Sequence, residues 1–478
     1  MKWLFLINNA SFLPEFLGKI AHQLIQEGEE CLIVVNSKMA EYEKSGFFPR
    51  NAKMISKVDW CIKNYHSDKK DFGELSWRDL FTVYERFGLY HYDYEKSLEM
   101  ANQLQQFFDY LFEKEKPDIV IGEPPAGLFG LAAYYFCQKN NIVFCGLAES
   151  RFPERIDIYD TYWTSSKYQK DFKELKKEDF LPGETGFAKD FIKNFVSHKT
   201  MYSSYYVVKV RFSLPEFIKH YGVRLSELKK VFWQYLSNRK SFKNFDYESE
   251  AILRRSFKAP LRIIMKNIKI PFQKNIFDTP SSKDTYFFFP MQYEPEASTL
   301  VLASYYSNQL ATIKNVAITL PFPYKLYVKE HPGSIGARTS TLYREIKKIP
   351  NAVLLSSENS TPEIIANSAG VITMTSTVGM EAALVSKPVY VLGNVFYSYH
   401  PSCRKVINFQ DLKDKIKEDL KNSIEHNHLE DDNMRFIISY ARSSIPANIL
   451  NASQQEDKND YKMICLKIKK WVSEQKNV

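Results

Sequence analysis

The chain has 478 residues, 44% hydrophobic and 25% charged, an ordinary globular composition in a length that exceeds what one hydrophobic core serves. Its formal net charge of +9 is modest for that length, favouring anionic partners such as phosphates, nucleotides or acidic headgroups and giving no reason to expect DNA. Six scattered cysteines without a CxxC or Cys/His cluster argue against zinc and fit reduced structural thiols, and no uninterrupted apolar stretch reaches the ~18 residues of a membrane span.

Residues 3–7 read as a strand, 12–27 as a helix closed by Gly28, and 31–35 as a second strand, a β-α-β opening. The apolar run from Met1 ends at Asn8-Asn9 without a small-residue cleavage pattern, so a first strand explains it better than a signal peptide. A helical period follows from Tyr94 to Glu115, then a strand over 117–122, the loop Glu123-Pro124-Pro125-Ala126-Gly127, a helix from Leu128 to Lys139 and a strand over 142–147. Glu123, Glu149 and Arg151 therefore fall at strand ends, as do Asn8 and Asn9.

From about Asp190 to Ser282 the α/β alternation stops, and basic residues interleave with aromatics, as in Lys229–Tyr235, Arg254–Lys258 and Arg262–Lys269. A solvated helical insert is the plain reading of such charge runs, and a membrane-surface element the sharper one. The alternation resumes at Tyr286–Gln292, with strands expected at Lys325–Lys329, Ala352–Leu355, Gly370–Thr373 and Pro388–Leu392, and a helical tail from about Asp457. The fold class this predicts is α/β, with two Rossmann-like domains facing a central cleft. The expected division is an N-terminal domain over 1–190, a helical insert over 191–282, a C-terminal domain over 283–440 and a tail over 441–478.

Two runs carry the chemistry. Lys329-Glu330-His331-Pro332-Gly333 and Thr373–Glu381 each begin where an apolar strand stops, and in an open α/β sheet that edge faces a ligand. Thr375, Ser376 and Thr377 place hydroxyls beside a helix expected to start near Thr377 or Val378, a setting that suits phosphate oxygens and equally suits simple helix capping. His331 is a candidate donor of a hydrogen bond or proton to a leaving phosphate, Glu381 an acceptor for ribose hydroxyls, and Lys329 a neutralising charge. Glu330, Pro332 and Gly379 complete the candidate nucleotide-binding set. Neither GxGxxG nor GxxxxGK[ST] follows a first strand, which disfavours a nicotinamide enzyme or P-loop phosphotransferase, and no HExxH or paired-His spacing suggests a metal. His400 follows the last strand but is not assigned a role, and His426 and His428 read as surface.

The tract Met291–Ser298, then Tyr327–Pro332, Thr375–Glu381 and Lys387–Gly393 with Phe396-Tyr397, resembles the bacterial capsule-polysaccharide biosynthesis proteins, a family that includes Kdo transferases. The resemblance is close over about 284–400, loose over the first 155 residues, and lacking in the insert. It implies a GT-B fold, metal-independent sugar transfer and a CMP-activated donor on the C-terminal half, with CMP-Kdo the candidate. The catalytic-acid motif of the Kdo-transferring members has no counterpart here, so Glu123 and Glu149 are the base candidates by position, and Asn8, Asn9 and Arg151 the acceptor-side residues. No cofactor is expected beyond the nucleotide-sugar substrate. The partners implied are that donor, a glycan or glycolipid acceptor and an anionic membrane, with no nucleic acid. The expected location is cytoplasmic, with peripheral attachment to the inner face of the cytoplasmic membrane left open.

Three other readings stay open. Non-hydrolysing UDP-sugar 2-epimerases share the two halves and the His-Pro loop, although Ser376-Thr377-Val378-Gly379 and Glu381-Ala382 stand where they carry Ser-Gly-Gly and Glu-Glu. A CDP-polyol phosphotransferase also shares His-Pro. A degenerate, non-catalytic sugar-nucleotide-binding subunit would bind without turnover.

Overall fold

Strand β1 (Lys2–Ile7) sends Trp3, Phe5 and Ile7 into one core and Leu4 and Leu6 into another. That alternation is what a strand buried on both faces requires, and it explains why the segment reads as an unbroken apolar run. The structure is a computed structural model that describes residues 1–9, 13–88, 93–161, 164–196, 232–233, 236, 244–422, 429–454 and 456–476. The chain divides into two compact units, one from Met1–Ser166, Leu214–Phe257 and Ala441–Val478, the other from Lys167–Ser213 and Lys258–Tyr440.

In the first unit, β1, β2 (Glu30–Val35), β3 (Lys53–Ser56), β4 (Ile119–Gly122) and β5 (Val143–Glu149) run parallel in the order β5-β4-β1-β2-β3. Beyond β5 the sheet is extended by two strands that the sequence pattern does not predict. The chain turns back after Glu149 into β6 (Arg155–Tyr159), antiparallel to β5, and β13 (Ile445–Pro446) pairs antiparallel with β6. Helix Leu13–Gln26 and the tail helix Tyr461–Lys476 cover one face, the latter through Ile464, Cys465, Ile468, Trp471 and Val472 at helical spacing. Arg155 fixes the return of the chain by donating to Ser444 Oγ at 2.5 Å and to the Ser444 and Ala441 carbonyls.

The second unit is a six-stranded sheet in the order β12-β11-β10-β7-β8-β9, parallel throughout. Its strands are β7 (Tyr286–Pro290), β8 (Lys325–Lys329), β9 (Ala352–Leu355), β10 (Gly370–Thr373), β11 (Val389–Val391) and β12 (Cys403–Lys405). Numbered within the unit this is the doubly wound 3-2-1-4-5-6 order, with the reversal between β7 and β10. The four helices Gln309–Thr319, Ser340–Lys347, Thr361–Asn367 and Val378–Leu384 form connections between successive strands. An α/β architecture of two doubly wound, Rossmann-like sheets is therefore what the chain adopts.

The insert expected over 191–282 contains helix Tyr247–Gln273, which starts in the first unit and ends in the second. Lys229, Lys230, Val231, Gln234 and Tyr235 from the basic aromatic run lie outside the described residues, as do His426 and His428. Among the described residues no helix is long and apolar enough to cross a membrane.

Candidate functional site

At the carboxyl edge of the second sheet, the reversal between β7 and β10 brings the segment after Pro290 beside the segment after Thr373. Gln292 stands there, 5% exposed. Its backbone N–H donates to Gln309 Oε1 at 2.8 Å and its carbonyl accepts from Gln309 Nε2 at 3.1 Å, so the main chain is pinned. The side-chain Oε1 accepts from Thr375 Oγ1 at 3.4 Å, while Nε2 is buried with no protein partner. A buried amide donor without an acceptor is costly unless something occupies the space beside it. No residue of the sequence analysis was assigned that role; Gln292 lay in the family tract without a function.

The second residue that sequence reasoning missed is Arg338. Its guanidinium pairs with Glu330 Oε2 at 3.1 Å and Glu294 Oε2 at 2.8 Å, and also donates to the Gln292 carbonyl. It thereby ties the end of β8 to the end of β7. Glu330 is buried and its backbone neighbour His331 N–H donates to Oε1 at 2.6 Å; burial raises its pKa, opposed by the Arg338 charge. Glu330 is thus engaged inside the protein. The loop is held from below by the end of helix Tyr247–Gln273: Lys266 Nζ donates to the Gly333 carbonyl at 2.9 Å, and Gln273 bridges the Gly336 N–H and the Arg338 carbonyl, each at 3.0 Å. Gly336 has φ +73°, and a Cβ there would lie 2.4 Å from the Lys266 carbonyl, so only glycine meets both demands.

His331 opens the turn Pro332–Ser334, and its Nδ1 accepts the Gly333 N–H at 3.1 Å. That bond assigns the neutral tautomer with the proton on Nε2. Burial lowers the ring's pKa, which keeps it neutral near pH 7. The Tyr293 ring lies 5.8 Å away, centroid to centroid. His331 therefore has a structural task in the turn and a donating nitrogen besides.

After β10, of the two hydroxyls that could cap the helix it is Ser376 that does so: its Oγ accepts the Val378 N–H at 3.2 Å, while the Thr377 side chain makes no capping bond. Tyr397 donates its hydroxyl to the Ser376 carbonyl, and a Cβ on Gly379 would meet that hydroxyl at 2.3 Å, so close packing alone accounts for this glycine. Helix Val378–Leu384 is only seven residues long, which leaves its dipole a small contributor. Lys329, buried, donates to Thr361 Oγ1 at 2.7 Å. Burial pulls its pKa down to about 8, against the Glu381 charge, and burial pushes Glu381 up to about 7, against the Lys329 charge. Pro332 is exposed.

The sign of the Glu381 effect is testable. A carboxyl whose folded pKa lies above its ordinary 4.5 takes up protons on folding, so its ionisation costs stability as pH rises toward about 7. Glu381→Gln should therefore melt close to wild type at pH 5 and a few degrees (roughly 2–6 °C) above it at pH 8. Calorimetric scans at the two pH values measure the difference, and a Gln variant that melts lower at pH 8 would contradict this placement.

In the first unit the corresponding reversal lies between β1 and β4. There Asn8 Nδ2 donates to Glu123 Oε2 at 2.7 Å. Asn9 Nδ2 donates to Ser37 Oγ at 3.0 Å and to Glu248 Oε2 at 2.8 Å, so it is bound up in the fold. Glu149 is the last residue of β5, the strand that pairs parallel with β4 and so neighbours the strand Glu123 follows, and Arg151 stands in the turn from β5 to β6. His400 is buried, bonded to Asn433 Oδ1 at 2.9 Å and to the Ser402 N–H, and burial lowers its pKa to about 4, the profile of a structural histidine. No group of three or more His, Cys, Asp or Glu among the described residues is arranged to hold a metal ion.

The sequence model of the family described as capsule polysaccharide biosynthesis protein matches residues 189–425, which include Gln292, Lys329, Glu330, His331, Arg338 and Thr375–Glu381. Over that segment, just under half of the chain, the sequence is similar to the capsule polysaccharide biosynthesis family. No curated protein sequence matches the chain. Among solved structures, it is similar to the KpsC beta Kdo 2,7 transferase of Thermosulfurimonas dismutans, at 14% identity over 64% of this chain and 78% of that one, with a TM-score of 0.28. A glycosyltransferase from Rickettsia africae matches at 10% identity over 99% of this chain and 98% of that one, TM-score 0.27. A UDP-GlcNAc 2-epimerase from Neisseria meningitidis matches at 11% identity over 98% of this chain and all (100%) of that one, TM-score 0.26.

Proposed function

We propose that the protein is a glycosyltransferase that moves a sugar from a nucleotide-activated donor to a capsular or other surface polysaccharide or its lipid-linked primer, with CMP-Kdo the first donor to test. The observation that carries this reading is the buried, unpartnered Gln292 amide at the sheet reversal, within the segment that matches the capsule family. Nucleotide phosphates are the natural partners of such donors at this edge. Gln292 Nε2, the hydroxyls of Thr375 and Thr377, and His331 Nε2 would together supply hydrogen bonds to phosphate oxygens. Lys329 would add charge from behind, its pKa rising as an anionic ligand approaches.

On this reading an acceptor hydroxyl attacks the anomeric carbon, the bond from that carbon to the nucleotide phosphate breaks, and the hydroxyl proton passes to a carboxylate. Glu123, oriented by Asn8, is the base we assign, with Glu149 the second candidate. His331 Nε2–H hydrogen-bonds the departing phosphate. Peripheral attachment at the inner face of the cytoplasmic membrane would bring such an enzyme to a lipid-linked acceptor.

Calorimetric titration with CMP, CDP, UMP and UDP tests the donor assignment. CMP should bind selectively, and Gln292→Met should weaken it about 10-fold, the loss expected when a hydrogen bond to a charged group disappears. A preference for UDP would redirect the reading to a UDP-sugar transferase or an epimerase, and no binding of any of the four would overturn it.

A further inference from the structure

Helix Tyr247–Gln273 presents two unlike faces along its second half. Lys266, Ile270 and Gln273 face the loop after His331, through the bonds to Gly333, Gly336 and Arg338 already described and the close approach of Ile270 to Gly336. On the other side Leu261, Ile264, Met265, Ile268 and Phe272 are between 43% and 77% exposed. At about 100° per residue these five fall in one arc about 100° wide, the width of a stripe that ordinarily faces a core. Lys258, Arg262 and Lys269 lie along one border of that arc. From Ala251 to Phe277 the sequence has seven Lys and Arg and not one Asp or Glu.

Large aliphatic and aromatic side chains in a contiguous exposed stripe mark an interaction surface. The charge decides which partner. A second copy meeting this face about a two-fold axis would set Lys258, Arg262 and Lys269 near their own counterparts, with no acidic residue on the helix segment to relieve them. An anionic bilayer satisfies both halves of the surface: its phosphates meet the basic border while the apolar stripe enters the acyl boundary, the helix lying in the interface plane.

We propose that the outer face of this helix, Leu261 to Phe272, is a docking surface for anionic phospholipid membrane. It gives the peripheral attachment in the functional reading a definite location, and it rests on that reading only for its purpose, since the surface exists whatever the donor is. The geometry adds a consequence. One helix carries the lipid-facing stripe on one side and grips the His331 turn on the other.

The experiment is co-sedimentation of the full chain with vesicles of phosphatidylglycerol and phosphatidylcholine, and with vesicles of phosphatidylcholine alone. We expect binding to the anionic vesicles that weakens with salt and falls about 10-fold or more in the double variant Ile268→Glu/Phe272→Glu and in Arg262→Glu/Lys269→Glu. All four positions are at the surface or its border, and CMP titration of the same variants should be unchanged, which separates failure of the surface from failure of the donor reading. Three results would overturn the proposal: no sedimentation of the wild type with anionic vesicles, wild-type sedimentation of Ile268→Glu/Phe272→Glu, or a wild-type dimer in ultracentrifugation that this variant abolishes. The last would assign the stripe to a second copy of the chain.

Discussion

Replacing Arg338 by alanine should cost the second unit about 3–5 kcal/mol, because it leaves the buried Glu330 carboxylate without its cation. The Glu330 side chain has no exposed surface, so solvent cannot substitute for the lost partner. Glu294 and the Gln292 carbonyl lose a donor in the same step. Calorimetric scans should show a fall of roughly 10 °C in the melting of this unit. The deficit should depend on pH. Burial already raises the Glu330 pKa and Arg338 opposes that rise, so removing the guanidinium lifts it further. A carboxyl raised above its ordinary value is neutral on both sides of the folding equilibrium below about pH 4.5, and its burial cost grows as pH rises through the raised value. The variant should thus lie nearer to wild type at pH 5 than at pH 8. Glu330→Gln combined with Arg338→Met removes both charges and should recover much of the loss, as paired removal of buried ions commonly does. Melting of Arg338→Ala at the wild-type temperature at pH 8 would mean that the triad is geometrically present and energetically idle.

Arg338 also shows where the sequence stops being readable. Strands buried on both faces and helices with a long apolar period can be read locally: Lys325–Lys329, Gly370–Thr373, Tyr94–Glu115 and Leu128–Lys139 occur at the bounds their patterns indicate. Glu330 and His331 follow directly from the strand that ends at Lys329. Arg338 acts on Gln292 and Glu294, more than forty residues earlier, and nothing in its own neighbourhood marks it. Its one available signal is a lone arginine eight residues after Glu330 in the same loop. Short edge strands escaped for a different reason. β12 and β13 span three and two residues, too few for a period, and the turn through Phe152-Pro153-Glu154 hides the reversal from β5 to β6. In the Thr375–Glu381 run the residue types were legible and their tasks were not: Ser376 and Thr377 are interchangeable as caps until the backbone decides between them, and Gly379 is explained by Tyr397, which arrives from beyond the next strand.

The two tasks of His331 can be separated by the choice of substitution. Alanine removes both the Nδ1 acceptor that holds the Gly333 N–H and the Nε2 donor. Asparagine removes the imidazole but keeps a short side-chain oxygen able to accept a backbone N–H two residues on, the local geometry of an Asx turn. If Nε2–H stabilises the departing phosphate, both variants should lose turnover about 100-fold or more while asparagine retains the fold of the loop. Single-turnover rates with the donor identified by titration, together with circular dichroism, would read the two effects apart. Near-normal turnover in His331→Asn would reduce this histidine to a turn residue. The pH profile adds an independent criterion. Burial lowers the pKa of the ring, so the neutral imidazole is the donor present above pH 6.5, and the His331 contribution to the rate should stay level from pH 7 to 8. A rate that falls as pH rises across that interval, with the fall abolished in His331→Asn, would instead assign an imidazolium acid, and would require the bound phosphate to raise the ring's pKa against the effect of burial.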